Sequence, residues 1–225
     1  MQAVLNPRIK ICCIKNIDEA QLAIEMGADA LGLVGKMPSG PGVISDTQIR
    51  KIAAFVPPPI ATFLLTSETS ADNIIAHHNK VNTTAIQFVD TLQEGSYAQI
   101  RKALPGVKLV QVIHVNGSEA IGRAQKCSAY VDAILLDSGN PQASIKELGG
   151  TGRKHNWQIS CKIRAQINTP LFLAGGLNPV NVQYAISEVH PFGLDICSGV
   201  RSEGNLDPVK LQTFFENIRK HSYAK

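Results

Sequence analysis

The sequence predicts the α/β fold class and, within it, a single (β/α)8 TIM barrel that spans residues 1–225. Eight short apolar runs rich in β-branched residues alternate with amphipathic segments, and no linker or change of composition divides them. The runs are apolar throughout, as is typical of strands that are covered on both faces. A doubly wound open sheet is the alternative, but it suits fewer strands and leaves its edges to be covered.

The strand candidates start about 21 to 40 residues apart, which is the repeat of one βα unit. They are residues 9–14, 30–34, 60–65, 85–89, 108–113, 131–136, 171–174 and 194–197. The helix candidates between them are residues 18–26, 46–55, 70–79, 96–104, 118–127, 157–167, 179–188 and 207–219. Several of these helices open with a residue suited to an N-cap, namely Asp46, Ser70, Ser118 and Asp207.

Composition and charge exclude several classes of protein. Of the 225 residues, 44% are hydrophobic and 18% are charged, which does not fit a disordered chain. A chain of this length can bury a sufficient core without disulfides or metal. The formal net charge of +4 is mild, and no nucleic-acid-binding motif accompanies it, so nucleic acid is not an expected partner.

The sequence also predicts a cytoplasmic protein without membrane partners. It has neither the apolar core of a signal peptide nor a run of about 18 apolar residues that could span a bilayer. The five cysteines are odd in number and contain no C-x-x-C pair. Adjacent cysteines such as Cys12 and Cys13 rarely bridge, so a reducing compartment is the simplest interpretation.

In such a barrel the chemistry lies on the loops that leave the C-terminal ends of the strands. Two of these loops are rich in glycine where the last two strands end, at Gly175-Gly176 and Ser198-Gly199, and Asp195 precedes the second. Glycine lets backbone N–H groups approach a phosphate, and a helix N-terminus adds a favourable dipole. The alternative is that these glycines only make tight turns. We expect a phosphorylated small molecule as the substrate.

A third glycine-rich loop follows strand six and reads Gly149-Gly150-Thr151-Gly152, with Arg153, Lys154 and His155 next to it. A flexible loop with adjacent cations can close over an anionic substrate and exclude water. Alternatively, the loop is an ordered cover of the surface. The sequence does not decide between the two.

Cys12 at the end of the first strand and Asp137 at the end of the sixth are the candidate acid–base pair. Individually, Cys12 could be a small buried hydrophobe and Asp137 could cap the following loop. Lys10 is expected to supply positive charge near Cys12 rather than a Schiff base. The histidines do not build a metal site, because His77 and His78 are adjacent in a predicted helix and His114 has no second ligand.

At this point the motifs resemble phosphoribosylanthranilate isomerase, an enzyme family of tryptophan biosynthesis. The family patterns K-I-C-G-I, L-L-D and G-G-T-G-x-x-x-D-W resemble the segments that contain Lys10 to Ile14, Leu135 to Asp137 and Gly149 to Trp157. L-A-G-G-L-x-P-x-N-V matches Leu173 to Val182, and D-V-S-S-G-V-E resembles Asp195 to Arg201. The resemblance covers nearly the whole chain, in matching order.

The resemblance implies an isomerase that catalyses an Amadori rearrangement of an aminoaldose phosphate, without a cofactor or metal, as a monomer or a homodimer. It implies that Cys12 is the general base at the sugar C2 position and that Asp137 is the general acid at the ring oxygen. Gly175, Gly176, Ser198 and Gly199 would hold the phosphate. The remaining expected substrate-binding residues are Lys10, Gly150, Thr151, Gly152 and Asp195.

Five positions depart from the family patterns. Gly42 stands where the family has an arginine near the substrate carboxylate, Val89 replaces a histidine, and the acidic Asp90 replaces a glycine. Cys13 stands where a glycine follows the base, and Asn156 replaces an aspartate. Two alternatives therefore stand beside the isomerase: a related phosphosugar isomerase with a substrate other than the anthranilate one, and a non-catalytic phosphosugar-binding barrel.

Overall fold

The computed structural model describes residues 6–140, 143, 146–150 and 152–223. Within these residues eight parallel strands close into a barrel in which each strand pairs with its neighbours in chain order, and β8 pairs with β1. The strands are β1 (Arg8–Ile11), β2 (Ala30–Val34), β3 (Ala61–Thr66), β4 (Ala85–Phe88), β5 (Lys108–His114), β6 (Ala133–Asp137), β7 (Leu171–Leu173) and β8 (Gly193–Ile196). The predicted (β/α)8 barrel is confirmed.

An outer layer of helices covers the barrel. In the described part of the chain these are α1 (Ile17–Met26), α2 (Asp46–Phe55), α3 (Ala71–Val81), α4 (Tyr97–Ala103), α5 (Glu119–Ser128), α6 (Trp157–Gln166), α7 (Val182–Val189) and α8 (Pro208–Tyr223). A short 3-10 turn, Ser198–Val200, and a small antiparallel pair, β9 (Arg201–Ser202) and β10 (Asn205–Leu206), lie between β8 and α8.

The helix starts show which of the expected caps are correct. Ser70 accepts a hydrogen bond from the Asn73 amide, and Asp207 accepts from two amides of the first turn of α8. The expected cap Asp46 is wrong, because Ser45 caps α2 and Asp46 is its first helical residue. Ser118 holds the cap position of α5, but its side chain makes no capping hydrogen bond.

Two predicted boundaries fail for identifiable reasons. The first strand ends at Ile11 rather than at residue 14. Cys13 has a left-handed backbone conformation with φ +64°, which is incompatible with an extended strand. The seventh helix begins at Val182 rather than at residue 179. The Asn178 side chain accepts from the amides of Val180 and Asn181, and this local turn delays the helix.

The period-two alternation of the strands decides which side chains face the barrel axis. In β6, Ile134 and Leu136 pack under the helices, whereas Ala133 and Leu135 belong to the separate cluster inside the barrel. Asp137 continues the inward series at the end of the strand. The same alternation assigns Lys10, Gln87 and Asp195 to the interior, because their outward neighbours lie in the outer core.

Candidate active site

A cavity opens at the C-terminal end of the barrel strands, where this fold carries its chemistry. It encloses about 660 Å³ of space, including the part open to solvent, which lies within the range of small-molecule sites. Most of the expected site residues line it: Cys12, Asp137, Gly150, Gly152, Gly175, Gly176, Asp195 and Ser198. Lys10 and Gly199 lie outside this lining, and Thr151 lies outside the described residues.

Lys10 lies beneath the cavity floor and is fully buried. Its Nζ donates to Asp195 Oδ1 at 2.8 Å, and the register of β1 and β8 places the two residues side by side. Burial alone would lower the pKa of Lys10, but the Asp195 carboxylate and Cys12 outweigh this effect and raise it above its usual value. Lys10 is therefore a permanent ammonium group.

The missing side chain of Gly32 in β2 leaves room for Cys12 and Lys10 to meet. A Cβ at Gly32 would lie 2.7 Å from Cys12 Sγ and 2.9 Å from Lys10 Nζ. Sulfur and ammonium thus share one crevice against the backbone of β2. The expectation that Lys10 places positive charge near Cys12 agrees with this geometry.

Asp137 lines the cavity, although its side chain is almost completely buried. Its side chain is only 8% exposed, and burial raises the pKa of the carboxyl despite a hydrogen bond from the Ser138 amide and the nearby His114. A Cβ at Gly149 would lie 2.7 Å from Asp137 Oδ2, so the glycine loop packs directly on this carboxyl. A carboxyl with a raised pKa in a covered cavity is suited to donate a proton.

Gly175 and Gly176 form a tight turn with φ of +81° and +65°, a conformation that other residues rarely adopt. A Cβ at Gly176 would lie 2.8 Å from the Arg153 carbonyl carbon and the Lys154 amide, and at Gly199 it would lie 2.0 Å from the Leu177 oxygen. These glycines bring three backbone segments together beside the cavity. Such a concavity of backbone groups is suited to an anion.

The glycine loop after β6 lies over the cavity. Gly150 packs on Pro41, where a Cβ would lie 2.6 Å from the proline ring, and the Ser39 hydroxyl donates to the Lys146 carbonyl. Lys146 also pairs with Asp90 at 2.6 Å. The described part of the loop is therefore held over the cavity by the loops after β2 and β4.

The cationic residues next to this loop contact other side chains of the protein. Arg153 pairs with Glu147, and Lys154 Nζ lies 5.6 Å from the centre of the Trp157 ring. Burial lowers the pKa of His155 to about 4, so its imidazole is neutral at physiological pH.

The side of the cavity near the loop after β2 is largely apolar and is formed by Val34, Met37, Pro41, Leu65 and Leu148. Among the described lining residues none is Lys, Arg or His. Gly42 has φ +80°, and a Cβ there would lie 2.5 Å from Cys13 Cβ. Cys13 thus occupies the space that any side chain at position 42 would need.

Cys13, Gln87 and Cys197 also line the cavity and were not among the predicted site residues. Gln87 Oε1 is buried and has no hydrogen-bond partner in the described part of the chain. A glutamine within an otherwise apolar strand was the available sequence signal for this position. The positions of Cys13 and Cys197 depend on the register of β1 and β8, which the sequence does not reveal.

His77 and His114 contact neighbouring groups of the protein. His77 bridges Thr66 at 3.0 Å and Asp46 at 3.1 Å, and His114 contacts the Val89 carbonyl at 2.9 Å. No cluster of three metal-ligating side chains occurs among the residues that the structure describes. Within the same residues, none of the helices combines the length and apolar content that crossing a membrane requires.

Solved structures of similar fold include several N-(5'-phosphoribosyl)anthranilate isomerases. The enzyme from Thermotoga maritima has a TM-score of 0.78 and is 29% identical, covering 95% of this chain and 99% of its own. Another, in complex with reduced 1-(o-carboxyphenylamino)-1-deoxyribulose 5-phosphate, has a TM-score of 0.75 and is 27% identical, covering 95% of this chain and 99% of its own.

Sequence comparison leads to the same family. The isomerase 2 of Methanosarcina mazei is 35% identical over 214 residues, which cover 94% of each chain. The isomerase of Nostoc punctiforme is 34% identical over 213 residues, covering 94% of this chain and 98% of the relative. The family model of N-(5'-phosphoribosyl)anthranilate (PRA) isomerase matches residues 9–217. The chain belongs to the N-(5'-phosphoribosyl)anthranilate isomerase family.

Proposed function

We propose that this protein converts N-(5'-phosphoribosyl)anthranilate to the corresponding 1-deoxyribulose phosphate, an Amadori rearrangement of tryptophan biosynthesis. The observation that carries the proposal is that Cys12 and Asp137 line one cavity, whose rim is a cradle of glycine backbone. The reaction needs one group that gives a proton and one that takes a proton. Membership of the isomerase family supplies the substrate.

Asp137 is the proposed general acid. Its raised pKa keeps a proton available, and its Oδ2 lies under the Gly149 backbone in the cavity. Transfer of that proton to the ring oxygen of the sugar breaks the C–O bond, opens the furanose and leaves a protonated imine between the sugar and the amine. Since the loop after β6 covers the carboxyl, water competes poorly for the proton.

Cys12 is the proposed general base, which takes the proton from the sugar C2 position. Loss of that proton turns the imine into an enamine, and protonation at C1 with ketone formation at C2 completes the rearrangement. The Lys10 ammonium lies in the same crevice as the sulfur and is fixed by Asp195. A preorganised positive charge at this position stabilises negative charge that develops during proton transfer.

The phosphate is proposed to lie against Gly152, Gly175, Gly176, Ser198 and Gly199. The first four of these line the cavity, and Gly199 packs behind them on Leu177. A cradle of backbone N–H groups binds a dianion without a cationic side chain. This agrees with the lack of Lys and Arg among the described lining residues.

A second candidate is a related isomerase that acts on a sugar phosphate with a different amine. The observation that favours it is the apolar lining around Met37 and Leu65, together with Gly42 in place of the family arginine. A bidentate arginine–carboxylate pair is directional, and glycine does not replace it. Lys36 follows β2 in the sequence but is exposed and does not line the cavity.

We further propose that residues 1–225 act as one domain in the cytoplasm, as a monomer or a homodimer. The isomerase of Thermotoga maritima is described as dimeric, and a structure of monomers generated from it has a TM-score of 0.77 to this chain. The expected partner is the small phosphorylated substrate, and neither nucleic acid nor membrane enters the proposal.

The test is the loss of anthranilate-derived fluorescence when purified protein meets N-(5'-phosphoribosyl)anthranilate generated in situ. Asp137→Asn and Cys12→Ala are each expected to lower kcat by about 10²- to 10⁴-fold, the usual contribution of a general acid or base. Asp132→Asn and Cys161→Ala make the same chemical changes away from the cavity and are expected to retain turnover.

Retained turnover in both cavity variants would exclude the assignment of acid and base. No turnover from folded wild-type protein would exclude the anthranilate substrate. In that case a screen of other aminated sugar phosphates distinguishes the second candidate, which predicts turnover, from a binding protein, which predicts only a rise in melting temperature.

A further inference from the structure

Cys13 and Cys197 meet at the rim of the cavity. Cys13 follows β1 and Cys197 follows β8, and these strands are neighbours in register, with Ile11 beside Ile196. Their two sulfurs lie 2.7 Å apart and share a hydrogen bond. A disulfide requires about 2.05 Å between sulfurs, so a small movement of the side chains closes the bond.

The backbone holds Cys13 in this position. Its φ of +64° is left-handed, a conformation that is unfavourable for a residue with a Cβ. Arg201 fixes the segment by donating from Nη2 to the carbonyl of Cys13 at 2.6 Å and to that of Cys12 at 3.2 Å. The absence of a side chain at Gly42 makes room for the Cys13 side chain.

The surroundings of Cys197 favour reaction at its sulfur. The hydrogen bond between Cys197 and Cys13 lowers the pKa of Cys197, burial and Asp195 act against this, and the charges of Arg201 and Lys10 add to the lowering. Hydrogen bonds with Cys12 and with Cys197, together with burial, raise the pKa of Cys13. Cys197 lines the cavity and is partly exposed, so a small oxidant can reach it.

We propose that Cys13 and Cys197 form a reversible disulfide in the mouth of the cavity, with a hydroperoxide as the oxidant. The Cys197 thiolate attacks the peroxide oxygen, the O–O bond breaks, and Cys197 becomes a sulfenic acid as hydroxide leaves. The Cys13 sulfur then attacks Cys197 Sγ, the S–S bond forms, and water is released. For hydrogen peroxide, two thiols and one peroxide give one disulfide and two waters.

The disulfide would disturb the cavity because both cysteines adjoin proposed catalytic or binding groups. Cys13 directly follows Cys12 in the sequence, and Cys197 directly precedes Ser198 at the phosphate cradle. A misplacement of about 1 Å at a reacting group can lower the rate about 100-fold. Oxidation is therefore expected to inhibit turnover and reduction to restore it; this second part rests on the proposed function.

The experiment treats the reduced protein with equimolar hydrogen peroxide, blocks free thiols with N-ethylmaleimide and digests with trypsin. The expected product links the peptide of residues 11–15 to that of residues 165–201, which contains Cys197 as its one cysteine. The linked mass equals the sum of the two peptides plus one N-ethylmaleimide adduct on Cys12, less two hydrogens, and it disappears on treatment with dithiothreitol.

Variants identify the partner, because Cys12 and Cys13 share one peptide. Cys13→Ser and Cys197→Ser are expected to abolish the link, whereas Cys12→Ser and the distant control Cys161→Ser are expected to keep it. Absence of the link in the wild type, or its persistence in Cys13→Ser, would overturn the proposal.

Turnover measured on the same samples tests the inhibition. Oxidation is expected to lower the turnover rate at least tenfold, and dithiothreitol is expected to restore it. Cys161→Ser should show the same loss and the same recovery. A formed disulfide with unchanged turnover would overturn the inhibitory part. Since the link is scored by mass, its failure is distinguishable from a failure of the proposed activity.

Discussion

The buried pair of Lys10 and Asp195 offers a quantitative test of how the cavity floor is stabilised. Lys10 is fully buried and the Asp195 side chain is 7% exposed, so solvent scarcely screens their contact at 2.8 Å. We consider Lys10→Met, which keeps the length of the side chain, Asp195→Asn, which keeps its shape, and the double variant. Each single change leaves one buried charge without its partner.

Breaking a buried ion pair by removing one partner costs about 3–5 kcal/mol, because the remaining charge is uncompensated. For a chain of this size each kcal/mol lowers the melting temperature by about 2–4 °C, so each single variant is expected to lose roughly 6–20 °C. The double variant leaves only an amide whose hydrogen bonds are incomplete, which is expected to lower the free energy of unfolding by about 1–3 kcal/mol. Its destabilisation should therefore be smaller than that of either single variant.

The assay is urea and thermal unfolding followed by circular dichroism. Lys108→Met is the matched control: Lys108 starts β5 at the other end of the barrel, and its side chain is 66% exposed beside Asp132. Loss of such an exposed pair costs about 0–1 kcal/mol. If the double variant costs the sum of the single variants within about 0.5 kcal/mol, the pair is not coupled and the reasoning is refuted.

The pH dependence follows from the raised pKa of Lys10. The stabilisation from a raised pKa is fully present below the unfolded value of about 10.4 and is lost as pH rises through the folded value. Wild-type protein is therefore expected to lose stability above pH ~10.4 more steeply than the double variant. Equal slopes in this alkaline range would contradict the assignment.

Three further predictions concern the cavity. Gly42→Ala is expected to lower the free energy of unfolding in urea by about 1–3 kcal/mol, because its φ is strained for alanine and the new Cβ contacts Cys13 Cβ. In a Cys13→Gly background the loss should be less than half as large, and equal losses in the two backgrounds would contradict the contact. Gln87→Leu is expected to raise KM about tenfold with little change in melting temperature, because its unpartnered Oε1 is free to accept from a substrate hydroxyl. Burial raises the pKa of Asp137, so ionisation of this carboxyl disfavours folding at pH values above the unfolded value of about 3.9. Asp137→Asn is therefore expected to melt at a higher temperature than the wild type at pH 7 while losing turnover, and a lower melting temperature would contradict this sign.

The barrel was predictable because local signals agree along the chain. Continuous apolar runs identified all of the strands that the described residues place in the barrel, and β2 and α2 match their predicted bounds. The errors fall where side chains or unusual backbone override the pattern. The left-handed Cys13 ends β1 early, and the turn at Asn178 delays α7.

The sequence by itself determined the fold class, the family and the end of the barrel that carries the cavity, because these depend on periodicity and on motifs at strand ends. The tertiary structure alone decided which side chains meet across strands: Lys10 with Asp195, Cys13 with Cys197, and Gly42 with Cys13. Such contacts depend on strand register and on backbone conformation over a few ångströms. A shift of the strand register by one residue would turn these side chains to the other face of the sheet.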